Sequence, residues 1–198
     1  MSRLPVVLAI TGASGAPYGV RLLEVLARND VPVWLLVSSH GWRLLAEECD
    51  AGTEDALRTV TGDQWGTVTL FDDRDRGARP ASGSVPTAGM VICPCSMGTV
   101  SAVAHGTSRS LIERAADVTL KERRPLVIVP RETPLHLGHL RAMTALAEIG
   151  AIILPPMVAF YAAPRTLDDV VNHVVGKVLD VLRIEHDLFP RWGEASDG

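Results

Sequence analysis

Apolar residues in this chain fall into short runs that alternate with stretches of helical period. The first run is Val6 to Ile10, with Leu4 before it, bounded by Pro5 and Thr11. Its length and β-branched members predict a strand buried on both faces of a parallel sheet. Thr11-Gly12-Ala13-Ser14-Gly15 breaks the run. A helical pattern follows to Arg28, with Leu22, Leu23 and Leu26 inward and Arg21, Glu24 and Arg28 outward. The alternation then continues. Strands are predicted over 33–37, 68–71, 89–93, 126–129 and 151–154. Helices are predicted over 41–49, 53–61 (with Thr53 as cap), 99–104, 108–124 and 137–149. A long amphipathic helix, 167–184, is capped by Thr166, with Asp168 and Asp169 in its first turn. Strands alternating with helices predict an α/β three-layer sandwich over a mostly parallel sheet, one domain spanning 1–186 with a tail at 187–198. The one long irregular stretch, Asp72 to Thr87, is rich in Asp, Arg, Gly, Ser and Pro, and long loops inside compact domains are usually functional or mobile.

Proline marks the ends of three strands, at Cys93-Pro94, Val129-Pro130 and Leu154-Pro155-Pro156. Proline cannot extend a ladder, so each strand is expected to stop there. These are carboxyl ends of parallel strands, where open α/β sheets bind ligands. Polar residues follow them: Ser96-Met97-Gly98-Thr99, Arg131-Glu132-Thr133 and, later, Tyr161.

The net charge of −4 gives no electrostatic reason to expect nucleic acid. Mean hydropathy is +0.20 and 47% of residues are apolar, a surplus that points to oligomer interfaces or an unusually buried core. No run approaches the roughly 18 apolar residues that would span a bilayer. Met1-Ser2-Arg3 leads straight into the first strand, so no signal peptide is read. Three cysteines make no disulfide framework, and a cytoplasmic location fits. Arginine outnumbers lysine 17 to 2, the two lysines being Lys121 and Lys177.

The loop after the first strand leaves backbone N–H groups at a helix start, a seat for an anion such as phosphate. It lacks both the G-x-G-x-x-G spacing and the P-loop pattern. The second strand ends in Ser38-Ser39-His40, with no acid for a ribose, so a mononucleotide fits better than NAD. Ser96 to Thr99 is either a second anion seat or an ordinary helix cap. Arg131-Glu132 is either a salt bridge at the sheet edge or a phosphate-holding arginine beside a proton-moving glutamate. Arg114 and Lys121 share a helix face, with Asp117 placed to pair with Arg114. Glu47 and Glu48 would be solvated helix charges in most proteins. Cys93-x-Cys95 and His136-x-x-His139 lack a metal-ligand pattern, so no metal site is assigned. Gly12-Ala-Ser14-Gly15 is one residue short of a hydrolase elbow.

Several of these segments together resemble the flavin prenyltransferase (UbiX) family. They are Thr11 to Gly15, Cys93-Pro-Cys-Ser96, Leu111 to Asp117 with Leu120 to Pro125, Pro130-Arg-Glu-Thr-Pro134, Phe160-Tyr161 and Leu188-Phe-Pro-Arg-Trp192. The resemblance implies a Rossmann-like flavoprotein, homo-oligomeric (a dodecamer among the candidate sizes), with active sites between subunits. It would join the dimethylallyl group of dimethylallyl phosphate to N5 and C6 of reduced FMN, and the product would serve a UbiD-type decarboxylase. Carried over, Gly12, Ala13, Ser14, Ser38, Ser96, Met97, Gly98, Thr99 and Arg131 would bind FMN. Tyr161 and Lys177 would bind the prenyl phosphate, with Arg114, Lys121 and Arg131 around it. Ser14, Glu48 and Glu132 would relay protons, and Lys121 joins them as a catalytic candidate. Two departures stand out: Arg76 lies near the place where some members carry tryptophan, and Ser39 stands where many have lysine. The alternatives are an FMN-dependent decarboxylase of the phosphopantothenoylcysteine or peptidyl-cysteine type, and a non-catalytic FMN carrier.

Overall fold

A computed structural model describes residues 3–62 and 65–191; of the predicted tail, residues 192–198 lie outside the described residues. The chain runs β1 (Val6–Ile10), α1 (Ala16–Arg28), β2 (Val33–Val37), α2 (Ser39–Cys49), α3 (Glu54–Val60), β3 (Val68–Asp72) and β4 (Gly89–Cys95). It continues through α4 (Met97–Ala104), α5 (Leu111–Lys121), β5 (Leu126–Pro130), α6 (Leu137–Glu148), β6 (Ile152–Ile153) and α7 (Leu167–Leu182). The strands form one sheet in the order β3-β2-β1-β4-β5-β6, and every pairing is parallel. Strand order reverses between β1 and β4, which opens a crevice at their carboxyl ends.

Alternation along β1 divides the core. Val6, Leu8 and Ile10 face α1, α2 and α7, whereas Val7 and Ala9 face α4, α5 and α6. Both faces are covered, as the continuous apolar runs require. Leu22, Leu23 and Leu26 of α1 are fully buried, as their spacing predicts.

Serine caps shift three helix starts from the predicted positions. Ser38 Oγ accepts from Gly41 N at 3.0 Å and Ser96 Oγ from Thr99 N at 3.3 Å, so α2 and α4 begin before their apolar patterns do. Ser110 Oγ accepts from Glu113 N at 3.4 Å, so α5 starts three residues later than predicted. It ends at Lys121, short of Arg124, because Arg123 is left-handed at φ 55°. The rule that proline stops a strand holds at Pro130 and fails at Pro94. There β4 continues to Cys95, and its register against β5 shifts between Ile92 and Cys95, around the residue that has no N–H to donate. At the sheet edge β6 is only two residues long, half the predicted length; Leu154 N still bonds Ile128 O at 2.8 Å before Pro155 turns the chain away.

The irregular 72–87 segment is fastened to the body of the protein. Arg79 lies over the Trp34 ring, 4.8 Å from its centre. Arg114 Nε donates to Ala81 O at 3.3 Å, and Arg124 donates to Gly83 O at 2.8 Å and Val85 O at 3.0 Å. Arg76 donates to Ser108 O at 3.2 Å.

Candidate active site

The loops after β1, β2, β4 and β5 meet over the crevice, and Thr11 ties two of them together. Its buried hydroxyl donates to Pro94 O at 2.9 Å and accepts from Ser96 N at 2.8 Å. Beside it lies a cavity of about 250 Å3 whose lining includes Gly12, Ser38, Ser96 and Thr99. Ser38 and Ser96 each accept an amide as a helix cap, and the Ser38 hydroxyl can give its own proton to a ligand oxygen. Ser96 Oγ and Thr99 Oγ1 are 3.0 Å apart, so one donates to the other. Hydroxyls at two helix N-termini make a donor set suited to phosphate. These residues fit a phosphate group.

The start of α1 is different. Gly15, left-handed at φ 113°, turns the chain into α1, and its N–H donates to Glu48 Oε2 at 2.8 Å. Ala16 N donates to the same oxygen at 2.7 Å. The anion at this helix end is therefore a carboxylate of the chain itself. This corrects two expectations: phosphate does not have this seat to take, and Glu48 is not a solvated helix charge. Glu47 is one, paired with Arg43 at 2.7 Å on the surface.

Arg131 reaches from the end of β5 to Ser14 O, with Nε at 3.0 Å. The sheet-edge salt bridge with Glu132 is not formed, because the Glu132 carboxylate turns back to accept from Thr133 N at 3.1 Å. Ser14, Glu48 and Arg131 thus converge on the first loop, and Glu132 sits exposed at its margin. Ala13 and Met97 are buried in the core, while Gly98 is exposed at the first turn of α4.

The remaining candidates divide between the two faces of the sheet. Arg114 and Lys121 lie on α5, Arg114 pairing with Asp117 at 2.6 Å as its spacing predicts and Lys121 pairing with Glu122. Tyr161 and Lys177 are on the opposite side, with α7. Tyr161 is 67% exposed, not a core tyrosine, and its ring stands edge-on to His173 at 6.0 Å. Lys177 Nζ lies 3.2 Å from Asp180. A single chain does not bring the two pairs together.

The sequence reading gave no site role to six lining residues: Thr11, His40, Asp73, Ser110, Ile112 and Glu113. The Ser-x-x-Glu spacing of Ser110 and Glu113 is a signal that marks two of them. Glu113 is buried, which by itself would raise its carboxyl. Hydrogen bonds from the Arg109 side chain, the Arg109 amide and Thr107 outweigh that and hold it below the usual range. Burial pushes the Cys93 thiol up to about 12 and Cys95 higher still, so neither is a thiolate nucleophile near neutrality. His136 caps α6 through Nδ1 and stacks on His139, the ring centres 3.5 Å apart.

Residues 1–179 match the Flavoprotein family model. The chain is 53% identical over 195 residues to the flavin prenyltransferase UbiX of Salmonella typhimurium, covering 97% of this chain and 98% of that one. It is 51% identical over 190 residues to the namesake protein of Alkalihalophilus pseudofirmus, covering 94% and 95%. Its fold superposes on AnUbiX (PadA1) in complex with FMN and dimethylallyl pyrophosphate with a TM-score of 0.90, at 36% identity over 98% of this chain and all of that one. A dodecameric FMN-dependent UbiX-like decarboxylase from Escherichia coli O157:H7 gives 0.88, at 39% identity over 96% and 99%.

Proposed function

The chain belongs to the UbiX flavin prenyltransferase family, and from that premise we propose that it transfers the dimethylallyl group of dimethylallyl phosphate to N5 and C6 of reduced FMN. The observation that carries this reading is the convergence of Ser38, Ser96, Thr99 and Arg131 with the Gly12–Ser14 loop at the reversal of strand order. Reduced FMN, when bound, supplies the nucleophilic ring atoms. The serine and threonine hydroxyls would hold its phosphate, and Arg131, already fixed on Ser14 O through Nε, would have its remaining N–H groups to give to the flavin. Glu48 is held against the first loop by two backbone donors, where with Ser14 and Glu132 it relays protons.

Breaking the allylic C–O bond sends the electron pair to phosphate. Tyr161, Lys177, Arg114, Lys121 and Arg131 stabilise that leaving anion, which is the work a divalent metal performs elsewhere. Because α5 and α7 lie on opposite faces of the sheet, we assign this set to residues from different copies of a homo-oligomer. Burying the five-carbon group is worth roughly 3–4 kcal/mol at about 0.8 per carbon. The product serves a UbiD-type decarboxylase as recipient.

Incubating the protein with reduced FMN and dimethylallyl phosphate in the presence of EDTA, then weighing the extracted flavin by mass spectrometry, tests the reading. The expected result is a flavin heavier by one five-carbon unit. A flavin of unchanged mass overturns the transfer, and a product formed only after magnesium is added overturns metal independence.

A further inference from the structure

Asp180 lies one turn beyond Lys177 on α7 and collects three donors. Arg191 Nη1 reaches both of its oxygens, at 2.7 and 2.8 Å. Lys177 Nζ reaches one of them at 3.2 Å, and His186 Nε2 lies 3.2 Å from the other. Leu188 N donates to His186 Nδ1 at 3.2 Å, and Arg191 Nη2 lies 3.2 Å from His186 Nε2. Burial by itself would raise the Asp180 carboxyl; hydrogen bonds from Arg191, Lys177 and His186 hold it below the usual range.

The chain beyond α7 is built to deliver Arg191. Arg183, left-handed at φ 57°, reverses its direction. Phe189 then fills a notch over Gly176, where a Cβ would collide with the Phe189 and His186 rings. The Arg191 guanidinium lies over the Phe189 ring, 5.1 Å from its centre. A guanidinium and an ammonium therefore share one carboxylate, and they do not share it equally. The guanidinium has the two short contacts and the ammonium one longer contact. A carboxylate already neutralised by arginine pulls less on a neighbouring lysine, which stays oriented yet available to another anion.

We propose that Arg191 is a positioning residue that occupies Asp180 and so keeps Lys177 available for the phosphate of the prenyl donor. The inference rests on the reading of Lys177 as a ligand of that phosphate. In the full-length protein loaded with oxidised FMN, binding of dimethylallyl phosphate is measured by calorimetric titration. Arg191→Gln is expected to raise Kd about tenfold, the loss of one charge-assisted hydrogen bond, because Asp180 then captures Lys177. Adding Asp180→Asn to Arg191→Gln removes the competitor and returns Kd to within about twofold of wild type. Affinity for FMN, followed by flavin fluorescence, stays unchanged in both variants. A purely structural role for Arg191 would make the double variant as weak as the single one or weaker, and that result overturns the proposal. So does an Arg191→Gln protein that binds the donor normally or loses FMN. Lys177→Ala, measured alongside, separates the inference from its premise. If Lys177→Ala binds the donor normally, the assignment of Lys177 fails and the proposal falls with it. If Lys177→Ala is weak while Arg191→Gln is not, the proposal alone fails.

Discussion

Glu113 presents the plainest case of a residue whose charge is held by the fold. Its side chain is 10% exposed, and Arg109, Thr107 and a backbone amide all donate to it. The folded carboxyl therefore has a lower pKa than the unfolded one. A depressed carboxylate contributes stability above the unfolded value, near pH 4.3 for glutamate, and that contribution is lost as pH falls through the folded value. Glu113→Gln should destabilise the protein by about 1–3 kcal/mol at pH 7. In denaturant titrations the gap to wild type should narrow once pH drops below about 4; a gap independent of pH would refute the assignment. Little of this was read from the sequence, because two of the donors, the Arg109 amide and the Thr107 hydroxyl, come from the turn before α5 and leave no mark in helix spacing. Arg114 and Asp117, three apart on one helix, were legible for the opposite reason. The contact that Glu48 makes was not legible, since nothing local announces that a carboxylate of α2 will cap α1, 32 residues earlier.

Elements were legible wherever period and cap agree. Helix α7 has both: Thr166 accepts from Asp169 N at 3.1 Å, and Asp169 accepts from Thr166 N at 2.9 Å, a reciprocal pair at the position its sequence predicts. Thr166→Ala should lower stability by about 1 kcal/mol in thermal or chemical unfolding, and Thr166→Ser should restore most of it. An unchanged midpoint in Thr166→Ala would show that packing alone holds the helix. Where cap and apolar pattern are offset, as at Ser38, Ser96 and Ser110, the pattern misplaced the helix start by two or three residues. At Pro94 the missing N–H costs β4 a ladder bond and a change of register without ending the strand, since β5 pairs with it again at Cys95.

For the whole molecule, the apolar surplus in the composition has a visible counterpart. Met157, Phe160 and Leu167 are 73%, 82% and 83% exposed, and they cluster in sequence around Tyr161. Sequence could announce this surplus but not its location, which depends on how the chain folds after β6. If each site combines α5 of one copy with α7 of another, then Lys121→Ala and Lys177→Ala proteins, each weak alone, should complement. Co-expressed, they should regain wild-type transfer at about a quarter of the sites under random mixing. No recovery in mixed oligomers would place both lysines in the same subunit's site. The pinning of the first loop by Thr11, Glu48 and Arg131 has a kinetic consequence as well. The loss of chain entropy at this edge occurs during folding, so a flavin meets a surface already shaped to receive it. Its association is then governed by diffusion and orientation, with no slow closing step in front of it.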